Sequence, residues 1–327
     1  MKKIITLLFC AGFAASAMAA TATASATKAH HKHHHKKKKT QSTATTSGDP
    51  ILNAVSTGTT TTKASKSRAA KSSAPVGAVR MPKLYSYSAY VINADNNSVV
   101  TSKNPDATLP IASISKLMMA MVLLDSGANL DDYVTISADD IDTLKNTFSR
   151  LKVGMQLRRR DLLLLALMSS ENRAAHALGR TAYPGGINVF VQKMNAKAKA
   201  LGMVHTKFYD PTGLTSANVS SADDVAKMVK AAYGYELIRE DSTTKGADVM
   251  LSSRYTHHYV NSDALVRAGK YQIELSKTGF INEAGHCLAI YTIVEGKPYI
   301  MVFLNSAGKN GRIIDAMAMR NYIARSN

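Results

Sequence analysis

Ser113 and Lys116 stand three residues apart in Leu109-Pro110-Ile111-Ala112-Ser113-Ile114-Ser115-Lys116-Leu117-Met118-Met119-Ala120. From Ile111 to Leu124 the only polar residues are Ser113, Ser115 and Lys116. An apolar run of this kind, opened by Pro110 and closed by Asp125-Ser126-Gly127, predicts a helix buried on every side. An ammonium there is costly unless it is paired or gives up its proton. The three-residue spacing puts Ser113 and Lys116 on one helical face. A serine one turn from a desolvated lysine is an activated nucleophile beside its base. Taken alone, S-x-x-K is too common to carry this, and a capping serine with a surface lysine fits it better. Two further stretches shift the balance. Ser170-Glu171-Asn172 follows the apolar run 162–168, and Lys277-Thr278-Gly279 lies inside the run 273–280. By themselves these are a helix junction and a strand end.

The elements that must position these residues are readable from periodicity. Residues 88–93 and 98–102 are predicted strands around the turn Ala94-Asp95-Asn96-Asn97. Residues 273–280, 287–294 and 299–304 are three more, the last two joined by Glu295-Gly296-Lys297-Pro298. The stretch 312–325 sets Ile313, Ile314, Met317 and Ile323 at helical spacing. Between the strand groups, residues 161–169, 173–180, 186–201 and 221–233 are predicted helices after the Ser113 helix. Ser220-Ser221 with Asp223 and Asp224 starts the last of them. The fold class is therefore α+β: an antiparallel sheet of about five strands from both chain ends, with an inserted helical region. A cleft between the two parts would gather Ser113, Ser170 and Lys277.

The first 80 or so of the 327 residues do not look folded. Met1-Lys2-Lys3, a short apolar run and Ala17-Met18-Ala19 predict a cleaved signal peptide over 1–19, too short to span a bilayer once mature. Cys10 lies inside that run, so Cys287 is the one cysteine expected in the mature chain, as a buried inert thiol without a disulfide. Residues 20–80 are rich in Ala, Thr, Ser, Lys and His and poor in large apolar side chains, which predicts a disordered basic tail. Residues 21–80 carry eleven Lys and Arg against Asp49 alone, and two lysines precede them. Only six charges of the formal +18 thus remain for residues 81–327, the predicted folded domain. That is a mild excess, and it does not imply nucleic acid. The tail is a solvated basic segment, with electrostatic contact to anionic wall polymer or a membrane surface as the interaction it could support. His176, His205, His257, His258 and His286 show no metal spacing, and His257-His258 fits a surface pair better than ligands.

The order S-x-x-K, S-x-N, K-T-G resembles the signature set of penicillin-binding proteins and serine β-lactamases. Across residues 85 to the end, the chain is similar to the low-molecular-mass penicillin-binding proteins, the D-Ala-D-Ala carboxypeptidase family. It is most similar to their D-alanyl-D-alanine endopeptidases of the penicillin-binding protein 7 type. The stretches that carry this are 109–120, Met168-Ser169-Ser170-Glu171-Asn172-Arg173-Ala174-Ala175, Phe208-Tyr209-Asp210-Pro211-Thr212-Gly213-Leu214 and 276–285. The resemblance implies a β-lactamase/transpeptidase-like fold and no metal or organic cofactor. It implies peptidoglycan stem peptides as substrate, β-lactams as covalent inhibitors and a periplasmic location. It implies Ser113 as nucleophile, Lys116 as its base with a pKa lowered by burial and by Lys277, and Ser170 as proton relay. Asn172 would hold Lys116 and the substrate amide, while Lys277 and Thr278 bind a substrate carboxylate. Gly279 would keep the strand edge open for an extended peptide. The N–H groups of Ser113 and Phe280 would form an oxyanion hole. The stretch Asp210 to Gly213 is assigned a structural turn.

Rival functions are a D-Ala-D-Ala carboxypeptidase, a β-lactamase and a non-catalytic wall-binding module. Against the β-lactamase, no Glu-x-x-Leu-Asn stretch lies between Asn172 and Lys277 to carry a deacylating glutamate, and Glu171 stands where those enzymes usually have Asp. Against the inert module, every side chain the chemistry requires is present. Two features favour an endopeptidase over a carboxypeptidase. Only fifty residues follow Lys277, without room for the β-domain and membrane anchor usual in the carboxypeptidases. Asn261-Ser262-Asp263-Ala264-Leu265-Val266 resembles their Asn-Arg-Asn-Gly-Leu-Leu but lacks its Arg; sequence alone does not place Arg267 as a substitute.

Overall fold

The computed structural model describes residues 80–326. The expected signal peptide (1–19) and, but for Arg80, the basic tail (20–80) lie outside them. The described chain opens with β1 (Ser86–Asn93) and β2 (Val99–Lys103), then leaves the sheet at β3 (Leu109–Pro110). A 3₁₀ turn (Ala112–Ile114) leads into α1 (Ser115–Asp125). The short strands β4 (Tyr133–Thr135) and β5 (Gln156–Arg158) precede α2 (Arg159–Met168), α3 (Asn172–Thr181) and α4 (Gly186–Ala200). After β6 (Val219–Ser220) come α5 (Ala222–Tyr233) and α6 (Glu236–Thr243). A hairpin of β7 (Gly246–Ser252) and β8 (Tyr255–Val260) and the short α7 (Ala264–Ala268) follow. The chain returns to the main sheet with β9 (Gln272–Ile281), β10 (Gly285–Val294) and β11 (Lys297–Ser306), and α8 (Gly311–Ser326) closes it.

The main sheet has the order β2-β1-β11-β10-β9 and is antiparallel throughout. The two chain ends meet at β1 and β11, with Ser88 opposite Leu304 and Ile92 opposite Ile300. Alternation along β11 divides the core. Ile300, Val302 and Leu304 face the helical region, while Met301 and Phe303 face α8. Burial on both faces explains why β10 and β11 read as continuous apolar runs rather than as alternating strands.

α1 is the centre of the helical side. Every residue from Ser115 to Leu123 is buried, Lys116 among them. The expected helix start at Ile111 is corrected: residues 112–114 form a tighter 3₁₀ turn, and the α-helix begins at Ser115. The face expected for α8 also differs. Ile314 and Met317 are exposed, and the buried positions are Gly311, Asp315, Ala316, Met319 and Ile323. The buried set runs at a four-residue spacing that includes a carboxylate. Asp315 accepts from Tyr85 N, Ser86 N and Ser86 Oγ at 2.8, 2.8 and 2.6 Å, which ties α8 to the start of β1. A hydrophobicity pattern cannot see a buried acid satisfied in this way. Cys287 is buried in β10, and burial pushes its thiol up to about 11.

Candidate active site

Three elements bring the three motifs together. The 3₁₀ turn carries Ser113, the α2–α3 junction carries Ser170 and Asn172, and β9 carries Lys277 to Phe280. At the junction Glu171 caps α3, its side chain accepting from Arg173 N at 3.3 Å. β9 is an edge strand of the sheet, so alternate backbone groups face the cleft rather than a neighbour.

Lys116 is fully buried and its Nζ has three partners: Ser113 Oγ at 2.8 Å, Asn172 Oδ1 at 2.8 Å and the Thr212 carbonyl at 2.7 Å. Burial lowers its pKa from 10.5 to about 7, against the pull of the Asp210 and Glu171 carboxylates. This partner set decides what the neutral amine does. Asn172 Oδ1 and Thr212 O can only accept, so they take the two N–H bonds of a neutral amine. The lone pair is then left for Ser113, whose hydroxyl becomes the donor. The expectation that Lys277 depresses Lys116 is corrected in emphasis: burial is the dominant cause, and the mutual repulsion shows on Lys277.

Lys277 is itself 1 % exposed, and its Nζ donates to Ser170 Oγ at 2.9 Å and to the Thr278 carbonyl at 3.1 Å. Burial, reinforced by the charge of Lys116 and opposed by Asp263, pushes it well below the usual lysine range. Thr278 Oγ1 donates to Ser262 Oγ at 2.7 Å. Arg267, left unplaced by the sequence, is on α7 and donates to the Asn261 carbonyl. Phe280 is exposed, its ring stacked on His286 at 4.3 Å between centroids. Asn172 Nδ2 donates to Thr147 Oγ1 at 3.0 Å, so a loop residue holds the group expected to meet the substrate amide.

Two glycines fix the nucleophile turn. Gly213 has φ +81°, and a Cβ on it would lie 1.9 Å from the Ala112 carbonyl oxygen and 2.9 Å from Ser113 N. A Cβ on Gly279 would lie 2.9 Å from the Ile111 oxygen and 3.2 Å from Ser113 N. Gly279 therefore lets β9 pack against the turn, a closer constraint than the open strand edge expected of it. Ala112 (φ +47°) and Ser170 (φ +64°) are left-handed without being glycine, each costing about 1–3 kcal/mol. Strain of this kind on both sides of the cleft is held by the packing around it.

The stretch Asp210 to Gly213 does more than turn. Asp210 Oδ1 accepts from Thr212 N, Thr212 Oγ1 and Gly213 N at 2.5, 2.7 and 2.6 Å, and Oδ2 accepts from Thr215 N at 3.1 Å. These bonds aim the Thr212 carbonyl at Lys116. His205, Asp223 and Asp224 do converge within 4.8 Å elsewhere, but the Lys227 ammonium bridges both carboxylates, at 3.3 and 2.7 Å.

Comparison with known proteins fits this geometry. The family model for D-alanyl-D-alanine carboxypeptidase matches residues 75–308. The chain belongs to that family. It is accordingly a hydrolase, a serine DD-peptidase. It is 45 % identical over 241 residues to a D-alanyl-D-alanine endopeptidase of Pseudomonas aeruginosa, covering 73 % of this chain and 77 % of that protein. A D-alanyl-D-alanine endopeptidase of Escherichia coli K12 is 43 % identical over 243 residues, covering 74 % and 78 %. The crystal structure of the Streptomyces K15 DD-transpeptidase superposes with a TM-score of 0.70 at 28 % identity, covering 75 % of this chain and 98 % of that one. The β-lactamase/transpeptidase-like fold expected from the motifs is thus the fold of the DD-peptidase family. Among the described residues, no helix is long and apolar enough to cross a membrane.

Proposed function

We propose that this chain is an exported, periplasmic DD-endopeptidase that cuts D-Ala–diaminopimelate cross-links of peptidoglycan through an acyl-enzyme on Ser113, the same serine that penicillins acylate. Neutral Lys116 takes the Ser113 proton as the oxygen attacks the D-Ala carbonyl. The N–H groups of Ser113 and Phe280 bind the oxyanion. Ser170 passes a proton to the departing amine, Asn172 steadies Lys116, and Lys277 with Thr278 and Gly279 seats the carboxylate beside that amine. Water then attacks the ester and returns the proton to Ser113.

The observation that carries the endopeptidase choice is the neighbourhood of Thr278. Its hydroxyl meets the short, neutral Ser262, and Arg267 is committed to the Asn261 carbonyl. Neither of these two residues brings a guanidinium to grip a small terminal carboxylate there, which suits a bulkier leaving group. The relatives named endopeptidases support the choice, and the family model, named for carboxypeptidases, supports the second reading. The test offers cross-linked dimer and monomeric pentapeptide at equal concentration. Monomer should appear from dimer faster than free D-Ala appears from pentapeptide. The reverse order would leave a carboxypeptidase.

The base also predicts a pH profile. Lys116 acts only without its proton, so kcat/KM for acylation should rise with pH through an inflection near 7. Below it the rate should fall about tenfold per pH unit. A flat profile from pH 5 to 8 would exclude Lys116 as the base.

A further inference from the structure

The chemistry proposed above uses only one side of the cleft fully. On the Lys116 side a cavity of about 190 Å³ adjoins the site. Asn172 and Thr212, both partners of Lys116, line it, and so does His176. His176 stands four residues after Asn172 on α3, so the two share a helical face. None of its lining residues comes from β9, which carries Lys277 and Thr278. The cavity is therefore separate from the seat of the leaving group's carboxylate, and it lies free for the acyl half of the substrate.

The polarity of the cavity is set by a hydrogen-bonded pair, the buried Asp140 and the half-buried His176. His176 Nδ1 meets Asp140 Oδ1 at 2.7 Å. Arg180 donates to the same carboxylate from Nε at 3.0 Å and from a terminal nitrogen at 2.8 Å, and Ser137 N donates at 2.8 Å. Burial works against the charge of Asp140, but the bonds from His176, Arg180 and Ser137 outweigh it and hold the carboxyl down to about 2. An ionised Asp140 only accepts, so Nδ1 must be the nitrogen that carries a proton. In the neutral ring Nε2 is then a lone-pair acceptor. Among the described residues Nε2 has no hydrogen-bond partner.

The remaining ionisable lining is acidic: Asp139, Asp142 and Asp210, with no Lys or Arg. Asp142 and Asp210 accept from backbone N–H groups of their own loops, so they contribute field rather than a ligand atom. A negative field around a fixed acceptor selects a cationic donor. We propose that this cavity is a subsite for the amino-bearing side chain of the stem-peptide residue preceding the acylated D-Ala, with His176 Nε2 accepting a hydrogen bond from its primary ammonium. His176 is thereby a specificity-determining residue. The assignment rests on the peptidase reading above, and its test separates the two.

The test measures binding and acylation independently. Two synthetic peptides, each ending diamino acid–D-Ala–D-Ala, differ only in acetylation of the side-chain amine. Calorimetry on the Ser113→Ala protein should give the free amine about tenfold tighter binding, the size of one charge-assisted hydrogen bond. Adding His176→Phe should remove that difference. His176→Gln, which keeps a donor toward Asp140 and an acceptor toward the cavity, should retain most of it. Penicillin carries no such amine-bearing arm in place of a stem peptide, so its acylation rate in the His176→Phe single variant should stay within about twofold of the parent. Equal affinity for the two peptides in the Ser113→Ala protein would overturn the subsite. An equal loss of penicillin acylation in His176→Phe would overturn it too, by reducing His176 to a structural support. Failure of the parent protein to acylate with penicillin would sink the peptidase reading instead, and the affinity comparison would still decide the subsite.

Discussion

Lys116→Arg is expected to slow acylation of Ser113 by penicillin about 10³-fold or more. Arginine keeps a positive charge but cannot release its proton at any usable pH. Its other bonded partners cannot replace the amine: Asn172 Oδ1 and Thr212 O hold Lys116 in place but cannot take up a proton at neutral pH. Because the pocket is fully buried, the larger guanidinium also threatens the packing around α1. Lys116→Met separates the effects. It keeps length and volume and lacks the amine, so the fold should survive while acylation is lost to the same degree. A thermal melt and a stopped-flow acylation trace on both variants check this. If either acylates within tenfold of the parent, Lys116 is not the base.

Gly213→Ala is expected to be the second largest loss, although Gly213 has no chemistry. Its φ of +81° is left-handed, and the new Cβ would overlap the Ala112 carbonyl at 1.9 Å. That atom is backbone and cannot swing away. Ala112 already sits at φ +47°, so the turn has no slack to absorb the shift. The combined strain should cost about 3 kcal/mol of stability. More telling is the local effect: moving Ala112 displaces Ser113, and a displacement near 1 Å should lower acylation about 10²-fold. Measurement in the folded fraction distinguishes this from unfolding. A variant that melts early yet acylates at the parental rate once folded would show that Gly213 supports the fold and not the nucleophile.

Much of this arrangement was legible in the residues. Ser113 and Lys116 announce themselves because a lysine in an apolar run demands an explanation. The five strands of the main sheet were legible because burial on both faces writes long apolar runs, and their observed ends lie within two residues of the predicted spans. The hairpin β7–β8 was missed because it pairs only with itself and buries little more than Val249, Leu251 and Tyr259. Its sequence, with adjacent histidines at 257 and 258, carries no clear alternation. The partners of Lys116 were half legible. Asn172 is a side chain and part of a motif, whereas Thr212 acts through its carbonyl, which every residue type possesses. Its signal was the Asp210-Pro211-Thr212-Gly213 turn, whose hydrogen bonds point that carbonyl inward. Thr147, which holds the Asn172 amide, comes from an exposed loop 25 residues upstream, and nothing in its local sequence marks it. The His176–Asp140 pair joins residues 36 apart for the same reason: only the fold brings them together.

The central claim is that Ser113, one turn from a neutral buried lysine, is the residue that forms the acyl-enzyme. Three serines in the site's elements allow a direct decision. Ser115 is buried and its hydroxyl accepts from Asn218 at 3.1 Å, and Ser170 accepts from Lys277. The measurement is intact-mass analysis after incubation with penicillin, followed by peptide mapping of the adduct. One penicilloyl group on Ser113, absent from Ser113→Ala, is the predicted result; an adduct on Ser115 or Ser170, or undiminished labelling of Ser113→Ala, would contradict it.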